Sequence, residues 1–448
     1  MSSSSSSPTR AGIGVFILYA IGQFGWSLVS YGVLNLLPYF YLPPETETSS
    51  VFPTFIFQGP LLGVLTLIGL IGFGGRIVDA CTDPWIANWS DNSGSKMGRR
   101  RPFMLASALP FALLSAAAFF PPSAEAGGLN TIWLIVTVIL FYIAMTIYVI
   151  PYTALIPELA KTQKDRLNIS TAISVAWASG FAIGAQIYGF QAGFEEFMSS
   201  TQAFQRVILI YAGIGFLCMM LSAWFLNERK YAGTVESNMP LRKSLSTVLG
   251  NHNFRLFAAS DFFYWLALTF IQLGISYYVI NLTGRDKEYV SFFLLMLFLI
   301  SFLGYVPILA IGRILGKRKT LLGAFLLLLL TFALTSVLGM DMLPEEIHLW
   351  LIIGLSAVAL SAFGILPNAV IGDLADQHSK QTGQRVEGMY YGVRTFVMKA
   401  GISVANLVFP SFLLLSGDFG IRLSALAALC FCLLGFIFLI PFREAQES

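Results

Sequence analysis

The chain has 448 residues, of which 56% are hydrophobic and 11% are charged, and its formal net charge is +3. Soluble domains carry about 25% charged residues, so this composition excludes a soluble globular protein and requires a surface that mostly faces lipid. The small and dispersed net charge gives no basis for binding nucleic acid. Apolar runs of about 20 residues, each long enough to cross a bilayer, recur along the whole chain.

The N-terminal sequence MSSSSSSPTRAG is polar and of low complexity, which predicts a disordered cytoplasmic tail over residues 1–11. The first apolar run is too long for a signal peptide and no small-residue cleavage site follows it, so we interpret it as a retained helix. Hydropathy and helix breakers predict twelve transmembrane helices, numbered helix 1 to helix 12 in chain order. Their predicted spans are 12–42, 59–89, 103–121, 131–158, 170–193, 205–226, 257–281, 289–312, 320–340, 348–370, 389–415 and 420–441.

Lysine and arginine are distributed unevenly about these spans. With both termini on one side of the membrane, that side holds 20 of the 27 basic residues and the opposite loops hold four. The other three, Arg76, Arg394 and Lys399, fall inside predicted spans. Because cytoplasmic loops are enriched in Lys and Arg, this distribution predicts a multi-pass protein of the plasma or inner membrane with both termini cytoplasmic.

The longest polar connection divides the chain into two halves of six helices each. We predict an N-terminal bundle over residues 12–226, a cytoplasmic linker over 227–254, a C-terminal bundle over 255–442 and a cytoplasmic tail over 443–448. The loop after helix 2 reads GSKMGRRRP and the loop after helix 8 reads GRILGKRK, an echo that suggests duplication. Two parallel six-helix repeats are a recurrent transporter plan. The predicted fold class is therefore an all-α membrane protein with two pseudo-symmetric six-helix bundles.

Helix 2 carries the densest group of ionisable residues within a predicted span, in GGRIVDACTDPWIANWSD. An ionisable residue in the bilayer is costly unless it faces water or a partner, which makes each one a candidate for function. Asp79 and Asp83 are four residues apart and share a helical face, and Arg76 precedes Asp79 by three residues. Two carboxylates this close share a proton or hold a cation. We predict a coupling site for Na⁺ or a proton; the alternative is that Arg76 neutralises one carboxylate and the group only ties helices together.

Helix 11 contributes two basic residues to the predicted membrane. Lys399 lies midway along the span with no acidic residue within two turns of its own helix. Its predicted partner is therefore on another helix, with Asp79 and Asp83 as the candidates. Arg394 is predicted to extend toward the cytoplasmic interface, and Asp261, one turn into helix 7, is predicted to be interfacial.

Four stretches carry a resemblance to a known family: FGWSLVSYGVLNLLPYFY on helix 1, GRIVDACTDPWIANWSDNSGSKMGRRRP from helix 2 to helix 3, YVIPYTALIPELAKTQKDR after helix 4, and LPNAVIGDLADQHSKQTGQRVEGMYYGVRTFVMKAG across helices 10 and 11. In this order, they resemble the glycoside–pentoside–hexuronide:cation symporters, the melibiose-transporter family of the major facilitator superfamily. The resemblance implies a cation site of Asp79, Thr82, Asp83 and Thr146, with both carboxylates on the metal if the ion is Na⁺. It also matches Lys399 to the family's helix 11 lysine.

The substrate side departs from the family pattern. Galactoside carriers of the family resemble one another in an Asp on helix 1, an Asp on helix 4 and an Arg on helix 5; here these positions hold Ser27, Val149 and Ser174. The other candidates are aromatic, amide and hydroxyl side chains, which suit a sugar or glycoside, or, together with Lys399, an amphiphile with an anionic head. The predicted substrate-binding residues are Gln23, Trp26, Ser27, Tyr31, Tyr148, Thr153, Ser174, Trp177 and Trp265, with Asn35 beside them.

Charged residues at the predicted cytoplasmic ends of the helices form a further group of candidates. We predict gating charge pairs that hold one transport state; the alternative is the ordinary enrichment of positive charge on the inside. The predicted pairs are Asp91 with Arg99, Arg100 and Arg101, and Asp373 and Asp376 with Arg385 and Glu387.

Small residues recur at every fourth position of helix 5. Ala172, Ala176, Gly180 and Gly184 predict close packing of this helix against a neighbour.

The predicted function is symport of a sugar or glycoside-like solute with Na⁺ or a proton by alternating access. Sodium-dependent lysophospholipid transporters resemble the same family, so a lysophospholipid or amphiphile carrier is the alternative, and a non-transporting sensor is a remote one. No nucleophile–base pair or metal-ligand spacing stands out, so we predict neither an enzyme nor a cofactor beyond the coupling ion. The expected partners are the solute, a monovalent cation and the lipid bilayer, with no nucleic acid, and the protein is predicted to be monomeric.

Overall fold

The computed structural model describes residues 11–44, 51–61, 63–160, 162–231, 248–340, 342–382, 387–415 and 417–444. In these ranges twelve long helices follow the twelve predicted spans. They are α1 (Ile13–Asn35), α2 (Leu67–Asp91), α3 (Arg101–Ala117), α4 (Gly128–Ala154), α5 (Gln163–Gly184), α6 (Ser200–Phe225), α7 (His252–Thr283), α8 (Lys287–Leu315), α9 (Lys317–Ser336), α10 (Glu345–Thr382), α11 (Glu387–Phe412) and α12 (Asp418–Leu439).

Most of these helices have the length and composition of membrane spans. Within the described ranges, ten helices are long and apolar enough to cross a bilayer. Of the other two, α3 is apolar but has only 17 residues, and α2 carries four charged residues that lower its hydropathy. The all-α membrane fold expected from the sequence is confirmed.

Local signals explain where the helix ends differ from the predicted spans. α5 begins at Gln163 rather than residue 170, because Thr162 and Asp165 form a capping box in which each side chain accepts a hydrogen bond from the other's backbone N–H. α2 begins at Leu67 rather than residue 59, since Pro60 and Gly63, with φ at 84°, hold the preceding segment in a turn.

The chain divides into two compact units. Unit 1 comprises Met1–Tyr41, Phe52–Phe57 and Gly74–Ser237, and unit 2 comprises Leu42–Val51, Gln58–Phe73 and Asn238–Ser448. The predicted bundle boundaries placed residues 58–73 in the N-terminal half, whereas these residues cluster with unit 2. The reason is close backbone packing on α11, where a Cβ added at Gly69 would lie 2.8 Å from the Leu407 carbonyl oxygen.

The two units repeat one packing scheme. In unit 1, α1 packs on α5 and α6, and α3 packs on α4 and α6. In unit 2, α7 packs on α11 and α12, and α9 packs on α10 and α12. Every helix of the second set comes six helices after its counterpart, so the duplication suggested by the loop echo is confirmed.

A glycine allows a close helix crossing at the corresponding place in each unit. A Cβ added at Gly180 of α5 would lie 2.9 Å from the Phe24 carbonyl oxygen of α1 and would overlap the Ser27 side chain. A Cβ added at Gly401 of α11 would lie 2.6 Å from the Phe262 carbonyl oxygen of α7. The close packing predicted for Gly180 is confirmed, and unit 2 repeats it.

Candidate cation and solute site

The candidate cation site lies on one face of α2, which continues as a helix through Pro84. Because proline has no backbone N–H, residue 84 donates no helical hydrogen bond to the Ala80 carbonyl oxygen. The Thr82 hydroxyl donates to the carbonyl oxygens of Val78, at 2.8 Å, and Asp79, at 3.1 Å. These bonds hold the Thr82 hydroxyl oxygen against the preceding turn, on the side of Asp79.

A second helix, α4, completes this group of oxygen atoms. The Thr146 hydroxyl donates to Asp79 Oδ1 at 2.8 Å, and both residues are 1% exposed. The hydroxyl oxygens of Thr82 and Thr146 are 3.4 Å apart. The structure therefore brings together three of the four predicted cation ligands, and Asp83 follows one turn later, half-buried. Carboxylate and hydroxyl oxygens are suitable ligands for a hard cation.

Arg76 supplies a buried positive charge beside these oxygens. Its Nη1 lies 3.6 Å from Asp79 Oδ2, and its guanidinium carbon lies 5.3 Å from the centre of the Tyr142 ring. Gly75 lets this ring approach the helix, because an added Cβ would overlap it. With both aspartates ionised, the two carboxylates and one guanidinium leave a net charge of −1. A monovalent cation or a proton would neutralise this charge.

Lys399 belongs to unit 2, whereas the aspartates of α2 belong to unit 1. It is half-buried on α11, and its carbonyl oxygen accepts a hydrogen bond from the Ser403 hydroxyl at 2.8 Å. Its pairing with Asp79 or Asp83 stays a prediction.

Four of the predicted substrate-binding residues are packed between helices of unit 1. Tyr31 is 6% exposed and lies against Gly184, where an added Cβ would be 2.5 Å from the ring. Tyr148 is fully buried, and its hydroxyl donates to the Met219 carbonyl oxygen at 3.3 Å. The buried members of the set are Gln23, Ser27, Tyr31 and Tyr148.

The other predicted substrate-binding residues reach a surface of their own unit. Thr153 and Ser174 are exposed, and Trp177 is half-buried and stacks on Phe181 with ring centres 4.5 Å apart. Trp26 in unit 1 and Trp265 in unit 2 are also half-buried. Whether any of these residues contacts a substrate stays a prediction.

Sequence reasoning missed an ion pair inside unit 2. Asp261 of α7 is not an isolated interfacial residue: its carboxylate accepts from Arg394 Nε at 3.0 Å and from Arg394 Nη2 at 3.3 Å. Arg394 Nη1 also donates to Asn368 Oδ1 of α10 at 2.7 Å. One signal for this ion pair was present in the sequence. Asp261 and Arg394 lie a similar number of residues from the start of α7 and α11, and therefore at a similar depth along these helices.

The charged residues expected at the cytoplasmic end of unit 1 form a connected group. Arg100 Nη2 donates to Asp91 Oδ1 at 2.9 Å. Arg99 and Arg100 each place an Nη2 atom 3.0 Å from Glu158 Oε1. Glu158, in the short helix Ile156–Leu159, is 3% exposed and is the acidic centre of the group.

A second acidic residue caps α3 at this end. The Glu228 carboxylate accepts from the backbone N–H groups of Arg99, at 2.8 Å, Arg100, at 3.1 Å, and Arg101, at 3.0 Å. The first N–H groups of a helix have no partner within the helix, so a carboxylate here also interacts favourably with the helix dipole. Gly98, which precedes these arginines, has φ at 117°. A Cβ added at Gly98 would overlap the Glu228 carboxylate, so glycine suits this position.

Unit 2 repeats this arrangement in part. Asp373 pairs with Lys317 at the start of α9. The Glu444 carboxylate accepts from the backbone N–H of Arg318. Arg385, the partner considered for Asp373 from the sequence, lies outside the described residues. The role of these pairs in gating stays a prediction.

Comparison with known proteins places the chain among transporters. The family described as MFS/sugar transport protein matches residues 18–440. The isoprimeverose transporter of Lactiplantibacillus pentosus is 25% identical over 397 residues, which are 87% of this chain and 78% of that protein. YagG of Escherichia coli strain K12, whose name describes it provisionally as a glycoside/cation symporter, is 24% identical over 394 residues, covering 87% of this chain and 80% of YagG.

Two further similarities are of different extent. The sodium-dependent lysophosphatidylcholine symporter 1 of Xenopus tropicalis is 31% identical over 121 residues, which are 27% of this chain and 23% of that protein. Among solved structures, a mutant of the nucleoside transporter NupG superposes with a TM-score of 0.69 at 12% identity, covering 96% of this chain and all of that chain. The latter similarity concerns the fold alone and, with the family match, confirms the expected major facilitator fold.

Proposed function

The chain belongs to the MFS/sugar transport protein family, and on this premise we propose that it is a symporter of a sugar or glycoside with Na⁺ or a proton. The observation that carries the proposal is the hydrogen bond from Thr146 to the buried Asp79 carboxylate. Together with Thr82 it forms a set of oxygen ligands beside Asp83. Arg76 adds one positive charge beside the Asp79 carboxylate.

Coupling follows from the energetics of this group. A buried carboxylate is costly to hold charged without a partner. Binding of a cation or proton lowers that cost, so the packing of α2 against α4 is more stable when the site is filled. A conformational change that is favourable only for the filled site links movement of the ion to movement of the solute. We further propose that the protein is a monomer of the plasma or inner membrane with both termini cytoplasmic.

The test is uptake of labelled isoprimeverose into proteoliposomes driven by an imposed Na⁺ gradient or, separately, by a pH gradient. We expect one of the two gradients to drive accumulation in the wild type. In Asp83→Asn we expect accumulation to fall about tenfold or more, because one ion-binding charge is lost. Asp286→Asn is the matched control, since Asp286 is exposed and makes no side-chain cap hydrogen bond. Undiminished gradient-driven uptake by Asp83→Asn would refute the mechanism.

A lysophospholipid carrier is the second candidate, favoured by the local match to the lysophosphatidylcholine symporter. That match covers 27% of the chain, whereas the matches to the sugar transporters cover 87%. The same vesicles assayed with labelled lysophosphatidylcholine separate the two candidates. Gradient-driven movement of the lysolipid, without accumulation of isoprimeverose or raffinose, the sugars for which two relatives are named, would favour the second.

A further inference from the structure

Three helices of unit 2 meet at the guanidinium group of Arg394. Nε and Nη2 bind the two oxygens of Asp261 on α7 as a fork, and Nη1 binds Asn368 on α10. This two-bond geometry holds the plane of the guanidinium in one orientation. The three hydrogen bonds use three of the five N–H groups of an arginine, so two N–H groups remain for a ligand.

The group is closed on one side and open on the other. The Asp261 side chain is 1% exposed and the Arg394 side chain 12% exposed, whereas Asn368 is exposed. The carboxylate therefore lies inside unit 2, and the guanidinium lies between this buried carboxylate and the exposed Asn368.

Polar side chains of α11 are exposed near Asn368. Tyr391 and Thr395, one helical turn apart on α11, are exposed along with Asn368, and the Tyr391 hydroxyl donates to the Asn368 carbonyl oxygen at 3.2 Å. Exposing such groups to hydrocarbon is costly. By contrast, the residues most exposed on α8 include Leu303 and Val306, at 77% and 76%. The α10–α11 face is therefore suited to water and solute, and the α8 face to lipid.

We propose that Arg394, positioned by Asp261 and Asn368, is a solute-recognition residue that donates hydrogen bonds to hydroxyl groups of a neutral sugar. This inference rests on the proposed function and names a specificity residue for it. Asp261 neutralises the guanidinium charge, so a carboxylate on the solute would gain little net attraction, whereas hydroxyl oxygens gain two oriented donors. The candidate solute residues in unit 1 carry no charge, so this guanidinium would add an oriented, charge-assisted donor to them.

Binding to the purified full-length protein provides the first test, with isoprimeverose and raffinose as probes and thermal stabilisation as the readout. We expect Arg394→Gln to weaken sugar-dependent stabilisation about tenfold or more, as for a lost charged donor. The single variant leaves the buried Asp261 without its partner and is prone to misfold. The double variant Asp261→Asn with Arg394→Gln removes both charges and is expected to fold, yet still to bind sugar weakly. Sugar affinity within twofold of wild type in the double variant would mean that the pair is only structural, and would overturn the proposal.

Labelling provides a second test that does not depend on symport. The four native cysteines are first replaced, and Thr395→Cys, at an exposed position next to Arg394, is then treated with a water-soluble thiol reagent. We expect it to react, and isoprimeverose or raffinose to slow the reaction. Val358→Cys, at an exposed apolar position of α10, is the control and should stay unreactive.

Each outcome of the labelling decides the proposal. An unreactive Thr395→Cys, or a reaction that neither sugar slows, would overturn it. If sugars bind and protect Thr395→Cys while neither ion gradient drives uptake, the symport proposal fails and the assignment of Arg394 stands.

Discussion

At the scale of single residues, the candidate cation site depends on one hydrogen bond between α2 and α4. Asp79 and Thr146 are 67 residues apart in sequence. The hydroxyl proton of Thr146 points to Asp79, so its oxygen lone pairs are directed away from the carboxylate and remain available to an ion. Thr82 is held in place by the carbonyl oxygens of its own helix. The site therefore combines an oriented carboxylate with two hydroxyl oxygens.

Replacing this hydroxyl tests its contribution directly. Thr146→Val keeps the shape of the side chain but removes the donor to Asp79. A hydrogen bond to a charged group contributes about 1.5–3 kcal/mol, so we expect the cation concentration for half-maximal uptake to rise about tenfold or more. The measurement is isoprimeverose uptake as a function of the concentration of the coupling ion.

Thr137→Val is the matched control for this prediction. Thr137 is on the same helix and buried, but its hydroxyl donates to the Trp133 carbonyl oxygen of that helix. We expect its ion dependence to remain within about twofold of wild type. Equal shifts in the two variants would show that Thr146 acts through packing and not through Asp79.

At the scale of secondary-structure elements, the N-termini of α3 and α9 are built in the same way. Each is preceded by a glycine with positive φ, Gly98 at 117° and Gly316 at 88°. Each receives a carboxylate from beyond the sixth helix of its unit, Glu228 in unit 1 and Glu444 in unit 2. A Cβ added at Gly98 or at Gly316 would come too close to the respective carboxylate. The echo between GRRR and GKRK therefore records a repeated helix cap as well as a repeated basic loop.

Alanine substitutions test this cap. Gly98→Ala adds a side chain where φ is positive and where the Glu228 carboxylate lies, and we expect a loss of about 1–3 kcal/mol of stability. The melting midpoint of the detergent-purified protein should fall by about 2–4 °C for each kcal/mol. Gly94→Ala, four residues earlier and with open space around the added Cβ, should melt within about 1 °C of wild type. Identical melting of the two variants would contradict the role assigned to Gly98.

At the scale of the whole molecule, the two units present the same helix pairs and the same glycine crossings with different side chains. The crossing of α1 and α5 carries Ser27 beside Gly180, whereas the crossing of α7 and α11 carries Trp265 beside Gly401. Close to the second crossing, unit 2 places the Asp261–Arg394 pair. The duplicated backbone therefore carries different polar groups in its two copies, a carboxylate–hydroxyl group in unit 1 and a guanidinium group in unit 2.

The orientation of the molecule in the membrane is a prediction at this scale. Because 20 of 27 basic residues lie on one predicted side, both termini are expected to be cytoplasmic. A C-terminal alkaline phosphatase fusion should be inactive and a C-terminal green fluorescent protein fusion should fluoresce. Phosphatase fused after Ala124, in the connection between α3 and α4, should be active. An active C-terminal phosphatase fusion would reverse the orientation.

The number of helices, the duplication of the six-helix unit and the position of the acidic group on α2 could all be predicted from the sequence. These are local properties: hydropathy marks a span, and two residues four apart on a helix share a face whatever surrounds them. The resemblance further implied Thr146, and the structure places its hydroxyl 2.8 Å from Asp79.

Which polar groups meet depends on the packing of distant helices. The sequence places Asp261 and Arg394 separately at the interface, yet Arg394 binds the buried Asp261 carboxylate as a fork and also donates to Asn368. The sequence makes Arg385 a candidate partner of Asp373, and the partner of Asp373 in the described residues is Lys317. Helical spacing specifies the angle of a side chain about its own axis, but not the rotation and depth of the neighbouring helix. Those are set by packing between distant segments, and that packing decides whether a charge is paired, buried or open to solute.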